Sequence, residues 1–343
     1  MSSVKKYKCL NCGAGLEFSP TNQNWKCHYC FSDFSIQEVE EAYNEGELPD
    51  EDAPELDSYS CNSCGAELIA DDTTSATFCL YCKNPTIIKN RFSGRFKPQL
   101  VIPFNLTKED AQKIYTKWIK KRIFAPKEFK SKEEIDKVTG IYVPYWLFDC
   151  DIDGQIEGVG TKVRTWTTGD IIYTETSYYN VQREGDCSYN LLPVDGSKKL
   201  DDSIMEKIEP FDYSKMVKFS LPYMSGFMAE KYDVDSDEAS ISMKKRVQKF
   251  YEDRLKGTVK GYSSFKVKSR NVNFNDIDEQ YAMLPIYLLV NKHKDKEHLF
   301  VLNGQTGKVV GDTPIDRLRQ FLFFGAFTLG AFLITLFGGA LIG

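Results

Sequence analysis

The sequence predicts an α+β protein: two small four-cysteine zinc ribbons, an α+β body with antiparallel strands, and one C-terminal transmembrane helix. Three observations predict it. Eight cysteines fall into C-x-x-C pairs in the first 82 residues; helical and strand patterns follow one another in blocks rather than alternating through residues 91–315; and Phe321 to Gly343 carries no charged residue. The divisions follow as ribbon 1 (1–35), acidic linker (36–58), ribbon 2 (59–90), body (91–315) and anchor (316–343).

The first quartet is Cys9, Cys12, Cys27 and Cys30; the second is Cys61, Cys64, Cys79 and Cys82. Each cysteine of the first recurs 52 positions later, as do Gly13/Gly65, Ala14/Ala66, Leu16/Leu68 and Tyr29/Tyr81, so the segment is an internal duplication. Two residues between cysteines allow a tight turn to aim both thiolates at one ion, and the glycine after each first pair permits the positive φ such a turn needs. Modules of this size bury too little apolar surface to fold alone, so metal binding supplies folding free energy. Four thiolates leave no open position, which points to two structural Zn ions; iron in a rubredoxin-like site is the alternative. His28 lies inside a knuckle whose ligand set is already complete.

Charge is unevenly spread. Residues 27–82 hold fourteen Asp and Glu and no Lys or Arg, so the rest of a chain of net charge −5 carries +9. Zinc ribbons invite a nucleic-acid reading, but a phosphate backbone requires clustered cations. Ribbon 1 offers Lys5, Lys6, Lys8 and Lys26, whereas ribbon 2 has only Lys83 at its exit. This favours ribbons that dock proteins. The stretch Glu38 to Asp57 reads as a short helix followed by an acidic, proline-containing tether.

In the body, Thr107-Lys-Glu-Asp110 is a capping box with Asp in place of Glu, and Ala111, Ile114, Tyr115, Trp118 and Ile119 form a helical stripe ending near Arg122. A short helix is predicted over Ser131 to Val138. Ile141 to Asp153 and Ile171 to Val181 read as strands joined by a turn at Thr168-Gly-Asp170; helices resume at Leu200 to Ile208 and Asp235 to Lys256, with Asp233, Asp235 and Asp237 as capping residues of the latter. Ser263 to Phe274, Tyr281 to Lys292, Leu299 to Asn303 and Lys308 to Val310 are predicted strands. Val143 to Phe148 echoes Leu284 to Leu289, which leaves a second duplication open, and Pro144 and Pro285 suggest edge strands or strand starts.

No catalytic constellation emerges, and the expectation is a protein without enzymatic activity. Asp149, Asp151, Asp153 and Gly154 open like a calcium loop, but Gly160 stands where the bidentate Glu belongs. Asn303 to Lys308 lacks phosphate-loop spacing and reads as a hairpin turn. Cys150 and Cys187 read as ordinary buried thiols, and His293 and His298 as exposed turn residues.

The terminal run of 23 residues reaches about 34 Å as a helix, enough for a hydrocarbon core of about 30 Å. Arg317 and Arg319 precede it, so a single-pass anchor in the cell membrane with the N-terminal bulk cytoplasmic is expected, and no signal peptide opens the chain.

The doubled C-x-x-C-G…C-x-x-C, TGIYVPYWLFDCDIDG, SKKLDDSIMEKIEPFDYS, GFMAEKYDVD and LNGQTGKVVGD resemble YdjG-like tandem zinc-ribbon membrane proteins of Bacillus-type phage-shock (PspA) operons. Such proteins often carry the names TFIIB-type zinc-ribbon or phage-replication protein. The resemblance implies the eight cysteines as zinc ligands and no catalytic residue. It implies a membrane-anchored adaptor of an envelope-stress system, working beside an SPFH (flotillin-like) zinc-ribbon protein, a second small membrane protein and, indirectly, PspA. The alternative is a nucleic-acid-binding zinc-ribbon protein tethered to the membrane.

Overall fold

The computed structural model describes residues 8–43, 57–61, 63–70, 79–82, 87–91, 98–219, 221–224, 226–294 and 296–342. Of these, 43% are strand and 27% helix. The predicted α+β class with antiparallel strands is therefore corrected to a mostly-sheet protein whose large sheet is mixed. The acidic linker falls mostly outside the described residues, as do Lys5, Lys6 and Lys83.

Ribbon 1 forms a three-stranded antiparallel sheet of β1 (Leu16–Ser19), β2 (Asn24–Cys27) and β3 (Asp33–Phe34), followed by α1 (Ile36–Tyr43). In ribbon 2, β4 (Asp57–Cys61) pairs antiparallel with both β5 (Glu67–Ala70) and β6 (Ile87–Arg91). The body opens with β7 (Leu100–Val101), α2 (Lys108–Lys120) and α3 (Lys132–Ile135), then the long hairpin of β8 (Thr139–Thr168) and β9 (Ile171–Asp195). After α4 (Asp202–Ile208) come β10 (Val217–Lys218), β11 (Met228–Glu230) and α5 (Ser236–Gly257). β12 (Ser264–His293), β13 (Lys296–Asn303), β14 (Val309–Gly311) and α6 (Arg317–Ile342) complete the chain.

The sheet is mixed because β8 and β12 lie antiparallel at its centre, while each accepts a short parallel neighbour from elsewhere in the chain. β11 runs parallel to β8, and β7 parallel to β12. The two echoing segments face each other across this centre, with Leu284 opposite Val143 and Tyr281 opposite Trp146. Neither proline marks an edge. On one side β8 passes from β11 (last partner Tyr142) to β9 (first partner Tyr145), and Pro144 sits in the gap; β12 passes from β7 (Met283) to β13 (Ile286), with Pro285 in the gap. The two carbonyls point to these gaps, accepting from Gly196 N and Gly304 N at 2.9 Å each. Since N–H and C=O of one strand residue share a side, the missing proline N–H falls where no ladder bond is lost.

α5 obeys a four-residue repeat: Ala239, Met243, Val247, Tyr251 and Leu255 bury onto β8, β9 and β12 beside Phe148, Ile152 and Ile156. Asp235 caps it, its side chain accepting from Glu238 N. On another part of the sheet α2 buries Ala111, Tyr115 and Ile119 against Leu289 and Phe300, and its Thr107/Asp110 capping box is present. α4 and the ribbon 2 knuckles cover a third region with Met205, Ile208, Leu80 and Tyr81.

The single-pass anchor is not supported. Among the described residues no helix is long and apolar enough to cross a membrane. The orientation inferred from Arg317 and Arg319 loses its basis with it. Arg319 instead donates to Ala125 O at 3.0 Å and pairs with Asp316, while Phe323 and Phe324 pack against Phe124.

Candidate metal centres

The knuckles are built by backbone hydrogen bonds that close each C-x-x-C turn. Gly13 N donates to Cys9 O and Gly65 N to Cys61 O, both at 2.8 Å, and both glycines take positive φ (76° and 67°) as their turns require. The second knuckle of ribbon 1 makes the same turn without glycine: Phe31 N donates to Cys27 O at 2.9 Å with φ 60°.

These turns bring all eight predicted ligands into two groups, Cys9/Cys12/Cys27/Cys30 and Cys61/Cys64/Cys79/Cys82, whose Sγ atoms lie within 4.8 Å of one another. The pairing repeats with the sequence. Cys9–Cys30 and Cys12–Cys27 are 3.4 and 3.5 Å apart, and Cys61–Cys82 and Cys64–Cys79 are 3.5 and 3.6 Å. All the cysteines are free thiols. A tetrahedral ion with bonds of about 2.3 Å places its sulfurs about 3.8 Å apart, so each quartet fits one ion. The surroundings divide the thiols: burial pushes Cys64 and Cys79 up, whereas hydrogen bonds from the Ser32 hydroxyl and backbone hold Cys30 down to about 6. Burial pushes Cys61 up, but backbone N–H groups of Cys64 and Ser63 outweigh it and leave the thiol at about 7. His28 belongs to neither group.

The two ribbons are seated differently. Ribbon 1 rests on the body through Phe18 and Trp25, whose rings lie 5.4 and 6.3 Å from that of Tyr223, and through Gln23 Nε2, which donates to Phe104 O at 2.8 Å. Ribbon 2 continues the large sheet: β5 pairs antiparallel with β11. Its second knuckle is pinned by Tyr81, whose hydroxyl donates to Glu230 Oε2, and its first by Lys199 Nζ, which donates to Cys64 O at 3.0 Å. Glu230 and Ser197, on the body side, are residues that sequence reasoning missed; the signal available was a Glu inside the apolar run of GFMAEKYDVD.

The duplicated tyrosines end in opposite environments. Tyr29 is 80% exposed and Tyr81 7%. Leu10 in the first knuckle of ribbon 1 and Phe31 beside the second are also exposed, so both knuckles present apolar side chains to solvent.

The other sequence candidates resolve into structure. Asp149 accepts from Leu191 N, and Asp153 from the Asn273 and Asn275 side chains, all on strands. Asn303 Oδ1 caps the β13–β14 turn by accepting from Gln305 N and Thr306 N. His293 and His298 are half-buried rather than exposed, bound to Glu128 and Asp312 at 2.7 and 2.6 Å. Cys150 is buried; Cys187 is half-buried and 3.0 Å from Arg254 Nη1.

No family model matches the chain, and no solved structure matches it. The uncharacterized protein YdjG of Bacillus subtilis (strain 168) is 33% identical over 330 residues, spanning 96% of both chains.

Proposed function

The chain belongs to the YdjG family, and from that premise we propose that it is a docking adaptor built on two structural zinc centres, with ribbon 1 as the face offered to a protein partner. The observation that carries this reading is the contrast between Tyr29 and Tyr81. One copy of a duplicated knuckle is consumed in joining the body, while the other keeps Leu10, Tyr29 and Phe31 in solvent, and exposed aromatics are the anchors that protein interfaces use. Four-thiolate closure supports zinc in a structural role, because no coordination position is left for a substrate. The family resemblance supplies the setting: a PspA-type envelope-stress system, with the SPFH (flotillin-like) zinc-ribbon protein as the partner.

The test is titration calorimetry of the metal-loaded chain against that SPFH-type protein, comparing wild type with Tyr29→Ala/Phe31→Ser. Saturable binding that falls at least about tenfold in the double variant, the loss expected of two aromatic anchors, supports the adaptor. Binding that is absent, or unchanged by the substitutions, removes it.

A second reading draws on the same rings. Tyr29 and Phe31 could stack unpaired bases, with Lys8 and Lys26 on the same ribbon near the phosphates. Affinity for single-stranded nucleic acid that drops steeply with added salt, and is lost in the double variant, would favour it.

A further inference from the structure

β9 pairs with β8 along one edge, and among the described residues no strand pairs with the other. Which backbone groups reach that open edge follows from β8. Thr161 O accepts from Ser263 N at 2.7 Å and Val163 N donates to Ser263 Oγ at 3.0 Å, so odd residues of this stretch turn away from β9 and even ones bond it. The register sets even residues of β8 opposite odd residues of β9, as in Gly160↔Tyr179 and Arg164↔Glu175. The even residues of β9, from Ile172 to Ser188, therefore aim N–H and C=O outward. Two of these carbonyls accept from the adjacent side chain, Gln182 O from Arg183 Nη1 and Ser188 O from Cys187 Sγ.

So long a row of outward groups is a template for another strand, and proteins commonly blunt such an edge with a proline, a lysine or a bulge. Residues 171–189 contain no Pro and no Lys, and their register with β8 runs without a shift. The charges that the edge does carry are Glu175, Arg183, Glu184 and Asp186. Among the described residues neither Glu175 nor Arg183 has an ion-pair partner. Arg164, directly across from Glu175, is turned over the Trp166 ring instead, 5.6 Å from its centroid.

We propose that this edge is the interface between two copies of the chain, which pair β9 antiparallel to β9 about a two-fold axis at Tyr179. A two-fold contact is self-complementary, so each attraction is made twice. The axis at Tyr179 sets Glu175 opposite Arg183 of the partner subunit and Arg183 opposite the partner's Glu175. It sets Tyr173 opposite the partner's Gly185, which has no side chain to obstruct the ring, and an aromatic side chain over an edge glycine is a favoured cross-strand pair. Glu184 meets the partner's Thr174 and Asp186 the partner's Ile172, so no like charges are opposed. Being odd, Tyr173, Glu175 and Arg183 fall at the pairs without backbone hydrogen bonds, where opposing side chains come closest. No other position of the axis opposes Glu175 to Arg183.

The test is sedimentation equilibrium of the full metal-loaded chain. Wild type is expected to form a dimer at micromolar concentration. Arg183→Glu and Glu175→Arg should each weaken it about tenfold or more, because either reversal turns both contacts from attraction to repulsion. An equal mixture of the two single variants should associate again, since each then meets the opposite charge at both contacts; that recovery also shows that both variants fold. A wild-type chain that stays monomeric, as it would if the edge served an extended segment of another protein, overturns the assignment. So does a dimer indifferent to the reversals, which would point to the exposed apolar side chains of α6 as the contact, and so does a mixture no tighter than its components.

Discussion

The Tyr81 hydroxyl lies 2.5 Å from Glu230 Oε2, and the Ser197 hydroxyl donates to the other carboxylate oxygen at 2.7 Å. Glu230 is 1% exposed, and burial pushes its pKa up to about 7 although both hydrogen bonds pull the other way. The folded state therefore holds this proton more tightly than the unfolded chain, whose Glu titrates near 4.5. The group's contribution to stability is full below about pH 4.5, declines as pH rises to about 7, and is level above that, an amount on the order of 3 kcal/mol. Glu230→Gln does not titrate. The stability of wild type relative to this variant, measured by urea unfolding, should be greater at pH 5 than at pH 8; a difference independent of pH would show that Glu230 is ionised throughout.

Metal removal should separate the two ribbons. Cys79→Ser and Cys12→Ser should each lose one of the two metal equivalents counted by elemental analysis, and a wild-type chain containing none would refute both centres. The consequences should differ. β5 pairs with β11 and Tyr81 is tied to Glu230, so losing the second ion should speed amide exchange at Met228–Glu230. Losing the first ion should leave those amides protected, because ribbon 1 meets the body through Tyr223 and Phe104 instead.

The cysteine quartets were legible because ligand spacing is local, and α2 and α5 because a cap precedes a four-residue apolar repeat in each. The extent of β8 was not. Gly154, Gly158 and Gly160 weaken its strand signal, yet a Cβ at Gly154 would sit 2.3 Å from the Asn271 carbonyl oxygen, a close approach set by the neighbouring strand. Nor can spacing tell Tyr29 from Tyr81: the residue is the same and its burial depends on Glu230, far away in the chain. The terminal apolar run was read by length and charge alone, and neither reports how Arg319 engages Ala125.

Phe31 holds φ 60° with its ring 73% exposed. A side chain in the left-handed region costs about 1–2 kcal/mol, and an exposed ring recovers little of that by packing. Phe31→Gly should stabilise the chain by about 1 kcal/mol in chemical denaturation while weakening docking to the partner proposed for ribbon 1. Destabilisation beyond about 1 kcal/mol would mean that the ring supports the knuckle.

Tyr223 seats ribbon 1 by ring contacts with Phe18, edge-on, and with Trp25, tilted, and is itself 1% exposed. Tyr223→Ala should cost about 3–5 kcal/mol, as other large-to-small aromatic substitutions in cores do. Exchange should rise in β1 and β2 before it rises in β8 or β12, as measured by hydrogen exchange. Uniform loosening across the chain would show that ribbon 1 and the body unfold as one unit.

Pro285 gives the sharpest test of the sheet. Proline in a central strand ordinarily removes a ladder bond, so replacing it with Ala would be expected to help. Here the residue is buried, its carbonyl accepts from Gly304 N, and its nitrogen faces the gap between β7 and β13. Ala would place a buried N–H in that gap without an acceptor, at about 1–3 kcal/mol, and would loosen the unfolded chain at a further cost of about 0.4–1 kcal/mol. Pro285→Ala should therefore destabilise by about 2 kcal/mol, and Pro144→Ala by a similar amount, because the same switch from a parallel to an antiparallel partner surrounds it. A neutral or stabilising result at both positions would mean that β12 and β8 keep a continuous neighbour there, and that the gaps do not exist in solution.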